Sequence, residues 1–152
     1  LPDNWREKAA KLGADVPACV ESRACIGRGT GTELEPVEND LAGCPVLLVN
    51  PRIPLATGPV FKGWDGIDRG SLEGSSLREM MQNGRNDLEA PALTLVPQIG
   101  EVLDALRKTE AWAVRMSGSG ATCFALFETM AQRDAARAAM PPAWWTMAGA
   151  LR

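Results

Sequence analysis

Apolar residues along the chain follow two periodicities. Val46-Leu47-Leu48-Val49 is an unbroken apolar run, the pattern of a central strand buried on both faces, and Pro51 and Pro54 end it. Trp112, Val114 and Met116 alternate with Ala113, Arg115 and Ser117, which predicts a second strand. Residues 123–127 and 144–151 read as two more. Leu93, Val96, Ile99, Val102, Leu103 and Leu106 recur at helical spacing, with Pro97 at a kink or restart. Thr57 is expected to cap a short helix through Val60 and Phe61. Ser76-Leu-Arg-Glu79, Asn86-Asp-Leu-Glu89 and Thr129-Met-Ala-Gln132 have the spacing of capping boxes, the last opening a helix on Ala131, Ala135 and Ala138 that Pro141-Pro142 stops. Residues 63–74, rich in Gly, Asp and Ser, read as a mobile loop.

The first third is patterned differently. Asp3 or Asn4 is placed to cap a helix on Trp5, Ala9 and Leu12, with Gly13 as a left-handed stop. Val16-Pro17 is expected to force extended backbone. Residues 19–26 and 34–37 read as short strands around the loop Gly27-Arg28-Gly29-Thr30-Gly31. That loop lacks dinucleotide-binding spacing and reads as a hairpin connection. Residues 38–45 look like a boundary.

From residue 46 the predicted order is strand, helices, strand, strand, helix, strand. This is the α+β, ferredoxin-like split β-α-β arrangement, an antiparallel sheet covered by helices on one side. Residues 1–44 lack the material for a core and are expected to be the tail of a preceding domain, with residues 45–152 as the ferredoxin-like domain. The chain opens at Leu1 without Met, which suggests processing or the later part of a longer protein.

Composition narrows the chemistry. The 152 residues are 45% hydrophobic and 23% charged, a globular balance, and carry a net charge of −3. An acidic chain without a basic run is a poor partner for a phosphate backbone, so no nucleic acid is expected. No stretch approaches a membrane span, and no membrane partner is expected. The absence of histidine excludes Ser-His-Asp triads, Cys-His dyads and His-ligated zinc from this chain. Cys19, Cys25, Cys44 and Cys123 form no Cys-x-x-Cys pair and read as scattered thiols of a reduced, cytoplasmic protein rather than as a disulfide framework. No cluster suggests a resident metal.

Two segments could carry chemistry. In Leu12-Gly13-Ala14-Asp15-Val16-Pro17 an aspartate sits rigidly after a helix end, either as a proton acceptor or as a surface turn residue. In Ser117-Gly118-Ser119-Gly120-Ala121-Thr122 small residues between two strands make either a tight hairpin or an anion nest of backbone N–H groups. No Walker A pattern occurs.

Leu-Gly-Ala-Asp-Val-Pro at 12–17, Asn-Asp-Leu-Glu at 86–89 and Met-Ser-Gly-Ser-Gly-Ala-Thr-Cys-Phe at 116–124 occur in that order. Together they resemble the C-terminal half of the CDP-methylerythritol kinase family, within the GHMP small-molecule kinases. The resemblance implies ATP-dependent transfer of a phosphoryl group to the 2-hydroxyl of 4-diphosphocytidyl-2-C-methyl-D-erythritol in non-mevalonate isoprenoid (terpenoid) biosynthesis. It implies Asp15 as the catalytic aspartate, Thr57 as a substrate contact, and Ser117, Gly118, Ser119, Gly120, Ala121 and Thr122 as support for the phosphates. It also implies ATP with Mg²⁺ carried on it, a bacterial cytoplasm or a plastid, and a catalytic lysine, glycine-rich ATP loop and cytidine site in an N-terminal half that these residues do not include. The rival readings are another GHMP kinase, for homoserine or a mevalonate-pathway intermediate, and a non-catalytic ferredoxin-like binding module.

Overall fold

A computed structural model describes residues 4–29, 31 and 33–152. The chain divides into two compact units, one up to Asp40 with Arg152, the other Leu41–Leu151. The expected boundary stood at residue 44. Residues 41–44 group with the second unit because the turn Leu41–Cys44 is stitched to Leu151: Gly43 N–H donates to Leu151 O and Leu151 N–H donates to Cys44 O, both at 2.9 Å.

The first unit comprises α1 (Trp5–Ala10), α2 (Val16–Glu21), β1 (Cys25–Arg28) and β2 (Glu33–Pro36). β1 and β2 pair antiparallel, so the expected hairpin forms, although Thr30 lies outside the described residues. Several expectations for this unit need correction. The candidate cap Asp3 lies outside the described residues, and Asn4 occupies the N-cap without a side-chain bond. Helix α1 stops at Lys11 rather than at a left-handed Gly13, and Leu12 is 82% exposed instead of facing a core. Val16-Pro17 opens a helix rather than a strand, because proline's fixed φ and missing N–H suit the first helical turn. The segment read as a strand from residue 19 is therefore helical to Glu21 and extended only from Cys25. An Arg6–Glu21 ion pair joins α1 to α2.

The second unit runs β3 (Pro45–Asn50), α3 (Thr57–Lys62), α4 (Leu77–Asn83), α5 (Glu89–Leu95), α6 (Gln98–Arg107), β4 (Ala113–Met116), β5 (Cys123–Leu126), α7 (Met130–Ala139) and β6 (Trp145–Ala150). The four strands form an antiparallel sheet in the order β4-β5-β3-β6, the predicted ferredoxin-like arrangement. Register sets the two faces. Leu47 and Val49 stand beside Ala125, Cys123 and Met116, and Ile99, Val102, Leu103 and Leu106 of α6 close over them with Ala136 and Met140. Burial of that apolar surface is what stabilises the layer pair. The run 46–49 is thus not buried on both faces: Leu47 and Val49 are fully covered, while Val46 and Leu48 are only half-buried. Pro97 does restart the helix, as the N-cap of α6. The face of α7 differs from expectation, since Ala136 is its buried residue and Ala131, Ala135 and Ala138 are exposed.

Candidate functional site

The turn 117–122 links β4 to β5. Ser117 N–H donates to Thr122 O at 2.9 Å, and Gly120 N–H donates to Ser117 O at 3.0 Å. Gly118 and Gly120 take positive φ of 53° and 86°, the left-handed region that favours glycine. Their surroundings differ. A Cβ at Gly118 would meet nothing within 4 Å, whereas one at Gly120 would stand 2.8 Å from Met116 Sδ and 3.3 Å from Leu55 Cδ2. The turn therefore rests on the core at Gly120 and buried Ala121, and is open at Gly118. Among the described residues, the N–H groups of Gly118 and Ser119 form no intramolecular hydrogen bond. The expected hairpin forms, a tight turn with two N–H donors left at its tip. Gly120 N–H is already engaged within the turn.

Thr57 comes to this tip. It is the first residue of α3 and not its cap, a place taken by Ala56, so its hydroxyl is available for other partners. Thr57 Oγ1 and Ser119 Oγ lie 3.0 Å apart in a hydrogen bond. Two residues that sequence reasoning missed hold the turn from below. Asn50, at the end of β3, donates from Nδ2 to Thr122 Oγ1 at 2.9 Å and accepts from Arg52 N–H at 2.7 Å. Asn86 donates from Nδ2 to Met116 O at 2.9 Å and to Gly118 O at 2.7 Å, while its Oδ1 accepts from Leu88 N–H at 3.0 Å. The spacing 86–89 read as a capping box, but Leu88 is the N-cap of α5 and makes no side-chain cap bond. The Asn50-Pro51 step was a visible turn signal; its partner, far along the chain, was not.

Within this cluster the groups are hydroxyls, amides and N–H donors. They can receive and orient anionic oxygens, but they include no base. The sequence-predicted carboxylate, Asp15, belongs to the first unit. It occupies the N-cap position of α2, is exposed, and makes no cap hydrogen bond. Its Oδ1 lies 3.8 Å from where a Cβ at Gly31 would stand, beside the β1–β2 turn. It therefore does not cap the helix that it precedes.

A polar cleft of about 760 Å³ opens elsewhere in the second unit, lined by Arg69, Arg85, Arg107 and Arg115 together with Asp65, Asp87 and Glu89. Three of its arginines pair with its acids, Arg69 with Asp65, Arg85 with Asp87, and Arg107 with Glu89 at 3.6 Å, while Arg115 donates to Met81 O at 2.7 Å. It contains neither Thr57 nor the tip of the turn. Among the described residues no group of His, Cys, Asp and Glu side chains is arranged to hold a metal ion, and no helix is long and apolar enough to cross a membrane. The four cysteines are free.

Residues 72–145 match the family described as GHMP kinases C terminal. A protein of Novosphingobium aromaticivorans named 4-diphosphocytidyl-2-C-methyl-D-erythritol kinase is 74% identical over all 152 residues, which cover 53% of that relative. A protein of the same name from Erythrobacter litoralis is 57% identical, with 100% of this chain and 58% of the relative aligned. A crystal structure of 4-(cytidine 5'-diphospho)-2C-methyl-D-erythritol kinase superposes with a TM-score of 0.75 at 27% identity, covering 97% of this chain and 57% of that one. The chain thus spans a little over half the length of the curated relatives it matches. With its ferredoxin-like sheet, its glycine turn and these relatives, the chain belongs to the GHMP kinases and carries their C-terminal domain.

Proposed function

We propose that this chain works as the C-terminal half of an ATP-dependent kinase that phosphorylates the 2-hydroxyl of 4-diphosphocytidyl-2-C-methyl-D-erythritol, a step of non-mevalonate isoprenoid biosynthesis in a bacterial cytoplasm. The observation that carries this reading is 74% identity along the entire chain to a protein of that name.

Phosphoryl transfer leaves a protein mainly positioning and charge stabilisation to supply. In this reading Asp15 accepts or orients the proton of the attacking hydroxyl. Its exposed carboxylate, tied to no cap, suits that role. Thr57 contacts the alcohol substrate. The free N–H groups of Gly118 and Ser119 face anionic oxygens of the phosphates. Ser117, Gly120, Ala121 and Thr122 form the frame of the turn. Positive charge for the transferred group comes from a lysine of the N-terminal half. In this reading Mg²⁺ would be carried on the phosphates of ATP and would supply charge stabilisation to the transferred group.

The test is a substrate panel on the full-length protein. 4-Diphosphocytidyl-2-C-methyl-D-erythritol should be phosphorylated with a kcat/KM orders of magnitude above homoserine or mevalonate-type alcohols. Equal turnover of homoserine would replace this reading with another GHMP kinase activity. In the same protein Asp15→Asn should lower kcat by about 10²–10⁴-fold with little change in KM or in the denaturant midpoint. Near-wild-type turnover would remove Asp15 from the mechanism. Residues 1–152 alone should show no kinase activity, and micromolar ATP binding to them by calorimetry would contradict the need for an N-terminal half.

A further inference from the structure

We propose that Asn86 is a positioning residue that sets the direction of the Ser119 N–H at the tip of the glycine turn; its effect on turnover rests on the kinase reading above. The side-chain amide uses both N–H hydrogens on the turn, one on Met116 O and one on Gly118 O, and its Oδ1 takes Leu88 N–H. Three of its four hydrogen-bonding capacities are thereby filled. The amide orientation is forced, since the flipped amide would set Oδ1 against two carbonyl oxygens.

The consequence follows from peptide geometry. In a trans peptide the C=O and the following N–H point in opposite directions. Met116 O turned toward Asn86 directs the Ser117 N–H away from it, toward Thr122 O, the bond that closes the turn. Gly118 O turned toward Asn86 directs the Ser119 N–H away from Asn86 in the same way. That N–H is one of the two donors left without an intramolecular acceptor. Gly118 itself has no side chain to fix its plane, and nothing lies within 4 Å of where one would begin. Without Asn86 the 118–119 peptide is free to rotate at a glycine. Asn86 is anchored in turn by Leu88 and the start of α5, where Leu88 packs against the core. Among the described residues its side chain makes no hydrogen bond to Thr57, so it acts through the turn.

The experiment compares Asn86→Asp and Asn86→Ala with the wild type in the full-length protein. Asp keeps an acceptor for Leu88 N–H and replaces both donors with an oxygen facing two carbonyls; Ala removes all three bonds and keeps the variant test open should Asp fold poorly. Amide exchange of Ser117 and Gly120 should accelerate by about tenfold or more while Leu47 and Val49 of β3 stay protected. With the cytidine-bearing alcohol, kcat should fall by about 10- to 100-fold and KM for that alcohol should move by less than about threefold. Exchange that rises equally in the turn and in β3 marks a structural residue and overturns the proposal, as does an unchanged kcat with a loosened turn. Should the wild type phosphorylate nothing in the panel, the kinase reading falls, and the exchange of Ser117 and Gly120 still decides what Asn86 does.

Discussion

Gly118 and Gly120 share a turn and a positive φ, yet a side chain added at each would meet different surroundings. At Gly120 a methyl group would press on Met116 Sδ and Leu55 Cδ2 in addition to straining the backbone. Left-handed strain costs about 1–2 kcal/mol and overpacking about 1–3 kcal/mol more. Gly120→Ala should therefore lower the urea midpoint of the protein clearly. Gly118→Val should cost chiefly the backbone strain, because open space surrounds the position its Cβ would take. That open space is where the proposed phosphates lie, so Gly118→Val should reduce kcat/KM far more than it reduces stability. Paired measurements of turnover and denaturant midpoint on both variants check this. A Gly118→Val protein with normal turnover per folded molecule would leave the turn a hairpin and nothing more.

At the scale of elements, the best-formed local device is the capping box of α7. Thr129 Oγ1 accepts from Gln132 N–H at 3.2 Å, and Gln132 Oε1 accepts from Thr129 N–H at 3.1 Å. Thr129→Ala should cost about 1 kcal/mol, read as a lower melting temperature with turnover unchanged. The box at Ser76 forms by halves: Ser76 caps Glu79 N–H, but the Glu79 carboxylate turns to Ser75, whose hydroxyl, and then its N–H, hold it below the usual carboxylate range. The third spacing of this kind, at Asn86, is not a box at all. These three outcomes mark where a sequence stops being informative. Strand alternation at 112–116, the helix restart at Pro97 and the box at Thr129 depend on neighbours within a few residues, and all were legible. Asn86 shares its local pattern with a cap, and its choice of Met116 and Gly118 depends on a contact some thirty residues away. Val16-Pro17 failed for a related reason. The same dipeptide suits an extended chain or a first helical turn, and local chemistry does not choose. Thr57 was singled out through resemblance, but its hydroxyl pairing with Ser119 needed the fold.

On the scale of the whole molecule, the core of the second unit bears a pH signature. Cys123 is fully buried between Val49 and Met116 in the sheet, and burial pushes its thiol up to about 12, with Glu89 adding to the rise. A folded-state pKa above the ordinary value of 9.0 makes the folded protein hold this proton more tightly than the unfolded chain does. The resulting stability is present in full below pH 9 and is lost as pH climbs toward 12. Cys123→Ala should lose stability at pH 8 through the missing packing, yet decline less steeply than the wild type above pH 9. Urea midpoints across that range test it, and parallel alkaline curves would exclude Cys123 as the titrating group. The sheet that encloses this thiol has a further consequence, one of timing. β3 is the first strand of its sheet to be made and sits inside it, between β5 and β6. About a hundred residues separate the end of β3 from the end of β6. At a synthesis rate of about 5–20 residues per second, the Val46–Val49 run waits roughly 5–20 s after leaving the ribosome before both partners exist. Until β5 follows, about 76 residues after β3, the most apolar strand of the domain has no partner in its sheet and lies open to chaperones and to other nascent chains alike.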